Sequence, residues 1–280
     1  MTNGIGGVLI AAGIGTLAGL HAASWGMYKD APHEGFRWST YARSPLVAGL
    51  AAPIALPFTG LDLGRASGIF VFFGFIYIVE RALVEFYKTF LRDEDQSKYF
   101  IPMQFHLGGR LIPRRARWIV GIAYVGVVLL VLAGVWRLER AELGLSGYAS
   151  VVLMGTVGGW ISAIGGAWKD GPIEGFSIFK FFRSPLVALF WALVVGHFTH
   201  SYLLLLGAAT GYTVATIETY KTFFFPNTPR GKFAGMPVRF PDMLRHRQRV
   251  VPLYAGIWAG ALVTLVLAFA ASHDGLIALL

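Results

Sequence analysis

The chain contains its own sequence twice, and that constrains its fold more than any other feature. Lys29-Asp30-Ala31-Pro32-His33-Glu34-Gly35-Phe36 is followed by Arg43-Ser44-Pro45-Leu46-Val47-Ala48. It returns as Lys169-Asp170-Gly171-Pro172-Ile173-Glu174-Gly175-Phe176, followed by Arg183-Ser184-Pro185-Leu186-Val187-Ala188. The offset is 140 residues in a chain of 280, and residues 15–60 match residues 155–200 at 20 of 46 positions without a gap. A repeat of this kind decides the architecture before any local pattern is read. Residues 1–140 form one unit of the plan and residues 141–280 the other.

What fills each unit follows from composition. Hydrophobic residues make up 55% of the chain and charged residues only 14%, against roughly 25% charged in an average soluble domain. That balance points to a polytopic membrane protein. The chain has no cysteine, which excludes disulfides, thiolate metal sites and cysteine nucleophiles. No Lys or Arg occurs in the first 28 residues. A secretory signal needs a positive region before its apolar core, so this segment is expected to stay as a helix.

Apolar runs at residues 4–28, 45–61, 68–84 and 118–136 predict four spans in the first unit. Runs near 148–168, 185–200, 201–217 and 250–272 predict four in the second. A core about 30 Å thick needs about 20 residues at a rise of about 1.5 Å each. Gly15 and Gly19 repeat as Gly155 and Gly159, a spacing that lets two helix backbones approach closely. Ser44-Pro45 reads as the N-cap and first residue of span two. Pro53 and Pro57 predict a kink there. Pro32 argues against a regular helix between Asp30 and Glu34.

The end of span three, Glu85-Phe86-Tyr87-Lys88-Thr89-Phe90, recurs as Glu218-Thr219-Tyr220-Lys221-Thr222-Phe223 at an offset of 133. The seven residues lost between copies are expected in the turn 61–67, because loops absorb deletions and spans do not. Eight spans put segments 25–44, 81–117, 168–184 and 218–250 on one side. These carry 21 Lys or Arg, and the other side carries three: Arg65, Arg137 and Arg140. The bias places the long loops in the cytoplasm and both termini outside it, in a plasma (inner) membrane. Four spans per unit is an even number, so the units face the same way. The expected fold is therefore all-α and integral to the membrane: eight transmembrane helices as two parallel four-helix repeats about a pseudo-two-fold axis along the membrane normal. Spans two and six, if re-entrant, change the side assigned to the motif.

Charged residues at a membrane boundary are expensive unless paired or solvated. Both copies nevertheless keep them while neighbouring positions drift, as Arg37-Trp38-Ser39 has against Ser177-Ile178-Phe179. One reading is structural, with salt bridges within the elbow and Tyr87 and Lys88 as interfacial anchors. A second is an anionic-ligand site, with Arg43 and Ser44 at a helix N-terminus. Lys29, Asp30, Glu34, Glu85, Tyr87 and Lys88 surround it, and Lys169, Asp170, Glu174, Arg183, Ser184, Glu218, Tyr220 and Lys221 form the related set. A third gathers the six carboxylates around Mg²⁺ or Ca²⁺, which the neighbouring cations oppose, so no metal site is assigned. His197 and His200 stand three apart but lack a third ligand.

No P-loop, dinucleotide fingerprint or G-x-S-x-G elbow occurs, and no cofactor is named by the sequence. The basic loops suit anionic lipid rather than nucleic acid. Three functions fit: a transporter or permeation protein with its pathway between the repeats, a membrane enzyme or binding protein for a phospholipid or polyprenyl phosphate, and a non-catalytic subunit of a larger assembly. Membrane lipids are the expected partners, with a second copy or other membrane subunits beside them. Few ionisable residues lie at mid-span, His21 being the clearest, which counts against ion-coupled transport.

Overall fold

The computed structural model describes residues 4–99, 102–108, 110–141, 143–228, 230–271 and 274–277; the side chains of residues 98, 168–170, 172–174 and 232 lie outside that description. Among the described residues the regular elements are helices, apart from a two-stranded ribbon, β1 (His106–Leu107) with β2 (Arg110–Leu111). The helices are α1 (Ile5–Glu34), α2 (Trp38–Ala55), α3 (Ala66–Phe86) and α4 (Arg114–Arg140), then α5 (Gly147–Gly155), α6 (Val157–Glu174), α7 (Ile178–Val195), α8 (Tyr202–Phe223), α9 (Pro241–His246) and α10 (Val251–Ala270). Five stretches are long and apolar enough to cross a membrane: α1, α4, α5 with α6, α7, and α9 with α10.

The helices absent from that set, α2, α3 and α8, are not all peripheral. α3 and α8 pack against each other and are covered by α1, α2, α5, α7 and α10. Their crossing is built on small residues: a Cβ on Gly211 would strike the backbone of Gly74, and one on Gly207 would strike the ring of Phe75. The Tyr212 hydroxyl donates to the Phe70 carbonyl at 2.9 Å. A helix wrapped by other helices meets little lipid, which is why α8 tolerates Thr210, Thr213, Thr216 and Thr219. Thr210, Thr213 and Thr219 return their hydroxyls to carbonyls one turn earlier.

Two local expectations are corrected. The motif does not break the first helix: α1 passes through Pro32 and ends at Gly35, whose φ of 79° belongs to glycine-only backbone. α6 ends likewise at Gly175, φ 75°. Each glycine reverses the chain, and the next helix therefore starts at residue 38 or 178, well before Ser-Pro. Ser44 and Pro45 consequently lie inside α2, and Ser184 and Pro185 inside α7. In the second copy Ser177, not Ser184, accepts the free amide of Lys180. The placement of Arg43 at a helix N-terminus, with its dipole argument, falls with this correction.

The paired glycines behave as expected. A Cβ on Gly19 would strike the Ser44 carbonyl and Pro45, and one on Gly15 would strike Ala48 and Ala52. Gly159 meets Ser184, Pro185 and Ala188, and Gly155 meets Ala192. Ser44 and Ser184 are buried at these contacts. The fourth helix of each unit packs across onto the other: α10 lies on α1 and α3, and α4 touches α8. Glu139 near the end of α4 also caps α8, accepting from the Tyr202 amide at 2.7 Å and the Ser201 hydroxyl at 3.3 Å.

Candidate functional site

Two pockets lie where α1, α3 and α8 finish. Gly35 and Gly175 turn α2 and α7 back along α1 and α6, which brings Arg43 and Arg183 level with the charged ends of α3 and α8. The larger pocket, about 360 Å³, draws Lys29, Asp30, Glu85 and Lys88 from the first unit. Arg183, Ser184, Glu218, Tyr220 and Lys221 come from the second, with Lys180 and Arg230 added. Its described lining holds six cations (Lys29, Lys88, Lys180, Arg183, Lys221 and Arg230) against three carboxylates (Asp30, Glu85 and Glu218). The smaller pocket, about 110 Å³, is lined by Glu34, Arg37, Arg43, Ser44 and Arg81, and shares Trp25, Asp30 and Lys88 with the larger.

Two of the carboxylates, Glu85 and Glu218, are engaged by cations. Lys29 Nζ lies 2.6 Å from Glu218 Oε2, an ion pair joining the two units with both side chains mostly buried. Lys88 Nζ lies 2.5 Å from Glu85 one turn earlier in the chain. Arg81, beneath the smaller pocket, donates to Glu80 at 2.6 and 2.8 Å and to Ser44 Oγ at 3.5 Å, and stands 3.8 Å from Glu85. Among the described residues no three His, Asp or Glu side chains are grouped to hold a metal. His197 and His200 also part company, the first meeting the Ile277 carbonyl at 2.9 Å and the second Asp274 at 2.8 Å.

Tyr87 and Tyr220 each stand against an arginine of the neighbouring helix. The Arg43 guanidinium sits over the Tyr87 ring at 6.0 Å, and that of Arg183 over Tyr220 at 5.7 Å. An aromatic face attracts a guanidinium and holds its plane, which gives a reason for both copies to keep Arg in one helix and Tyr in another. Arg43 Nε is buried without a hydrogen-bond partner among the described residues. The side chains of Lys169, Asp170 and Glu174 lie outside the described residues.

Four contributors lie outside the residues that both copies keep: Trp25, Arg81, Lys180 and Arg230. The first three sit where the repeat differs, opposite Gly165, Val214 and Thr40, so a search for shared residues passes over them. Arg230 lies in the loop after α8 and has no counterpart in the repeated motifs. Chemically, the larger pocket suits a phosphate: guanidinium supplies a planar fork of donors, and ammonium a compact charge. Comparison of the chain with known protein families, with curated proteins and with solved structures finds no match.

Proposed function

We propose that this chain is a multi-pass plasma (inner) membrane protein that binds a phosphate-bearing anion, presented as a lipid headgroup, at the cytoplasmic ends of its helices. The observation carrying this reading is the larger pocket, where both units contribute cations in excess of carboxylates. The chain is taken as two parallel four-helix repeats with eight spans, α2, α3 and α8 included. The distribution of 21 basic residues against three supports that orientation. Binding is favoured over permeation because buried rings (His21, Phe70, Tyr77, Tyr212 and Tyr254) fill the space among α1, α3, α8 and α10. Catalysis by Glu85 or Glu218 is disfavoured by their tight pairing with Lys88 and Lys29.

The binding test is the pair Arg183→Ala with Lys221→Ala, reconstituted in nanodiscs of phosphatidylcholine containing phosphatidylglycerol. Retention of phosphatidylglycerol should fall about a hundredfold, the loss expected when two charge-assisted contacts worth about 1.5 kcal/mol each are removed. Wild-type retention by the double variant refutes the site.

Orientation and span count have a separate test, made clean by the absence of native cysteine. With eight spans, Asn227→Cys should be shielded from an impermeant maleimide in intact cells, and Leu143→Cys should be labelled. Both positions on the same side is the outcome for five spans, and the opposite pattern inverts the protein.

A further inference from the structure

The two pockets occupy corresponding places in the repeat. Of the 17 residues lining the smaller one, 15 have their counterpart, at offsets of 140 or 133, lining the larger; the other two, Asp30 and Glu34, correspond to side chains outside the described residues. Yet the larger has roughly three times the volume. The difference traces to side chains. Trp25 in the first copy corresponds to Gly165 in the second, and Arg81 to Val214.

Resting on the anion-binding reading above, we infer that the two pockets have parted in function: the one on the second copy is the single working anion site, and the one on the first is closed by the chain's own Trp25 and Arg81. The closing groups are held in place. The Trp25 indole donates to the Tyr77 hydroxyl at 3.0 Å, and Arg81 lies 5.5 Å from the indole ring while bonded to Glu80 and Ser44. The second copy has none of these fittings, for Tyr77 becomes Thr210 and Glu80 becomes Thr213. Its only relevant gain is a cation, Lys180 in place of Thr40, on the lining of the open pocket. Pairing with Glu80 also neutralises the Arg81 guanidinium, so it fills the first pocket while adding little attraction for an anion. The ligand of the open site is a phosphate ester whose charged group meets Arg183 and Lys221.

The test is stoichiometry together with site-by-site loss, read by native mass spectrometry and equilibrium titration on the full chain. Two probes are used: phosphatidylglycerol in phosphatidylcholine nanodiscs, and soluble glycerol phosphate in detergent. One equivalent should bind per chain. Arg183→Ala should weaken binding at least tenfold, and Arg43→Ala less than twofold. Gly165→Trp should abolish binding without lowering the melting temperature, since no described atom stands within 4 Å of where its Cβ would be. Saturation by the lipid alone identifies a headgroup as the source, and equal saturation by both probes identifies the ester itself; either supports the inference. Two equal equivalents, or equal losses for Arg43→Ala and Arg183→Ala, overturn it and leave the parent reading intact. A wild-type chain that binds neither probe overturns both.

Discussion

Gly19→Leu is expected to unfold the protein in detergents that leave the wild type intact, and Gly159→Leu to do the same. A Cβ at Gly19 would collide with the Ser44 carbonyl and the backbone of Pro45, and neither is the end of a flexible side chain that can swing away. α1 and α2 would have to separate along the contact that holds Ser44 buried. Overpacking a tight contact costs typically about 1–3 kcal/mol and more where backbone is struck, so a loss of about 3 kcal/mol is expected. Interfaces inside membranes rely on such close approach because lipid supplies no hydrophobic drive between helices. Gly126→Leu on α4 is the matched control. Nothing described lies within 4 Å of its Cβ position, so its effect should stay within about 0.5 kcal/mol. Thermal melts followed by tryptophan fluorescence read both; a Gly19→Leu protein that melts with the wild type would remove the close α1–α2 contact.

Glu80→Ala should be nearly as damaging, and Glu80→Thr combined with Arg81→Val should not be. Glu80 is fully buried and Arg81 nearly so, and they form a 2.6 Å ion pair beneath the smaller pocket. Removing one partner of a buried ion pair leaves the other charge uncompensated, at a cost of about 3–5 kcal/mol. Glu85 at 3.8 Å and Ser44 at 3.5 Å offset part of it, so the low end, about 3 kcal/mol, is expected. Replacing both partners by uncharged residues often proves neutral or stabilising. The chain itself supplies the replacement: Thr213 and Val214 stand at the corresponding positions of α8. Chemical denaturation of the single and double variants measures the coupling directly. A double variant less stable than Glu80→Ala would show that the pair contributes more than mutual neutralisation.

The repeat made much of this legible from residue order alone. Gly15, Gly19, Gly155 and Gly159 announced the close helix pairs, and the shared Arg, Tyr and Lys announced the charged helix ends. Ser44-Pro45 misled for a physical reason. A Ser-Pro pair is competent to begin a helix, but where a helix begins depends on what precedes it, and Gly35 had already reversed the chain. Pro32 misled in a different way: it lacks the N–H that would reach the Tyr28 carbonyl, but one missing bond can kink a helix without ending it, and α1 runs on to Glu34. The contents of the pockets were hidden because identity between copies marks what both need, whereas Trp25 against Gly165 and Arg81 against Val214 mark where their tasks diverge. Lys29 against Glu218 was invisible for another reason, since it joins residues 189 apart through the fold.

The crosswise packing of the fourth helices has a consequence for biosynthesis. α10 leaves the ribosome after every other described helix, yet Tyr254 on it stacks upon His21 at 4.1 Å, and α3 has the same helix as its cover. A nascent chain halted after Arg140 therefore leaves His21 without the Tyr254 ring and α3 without its α10 cover, and the packing of the first unit is completed only once α10 has been made.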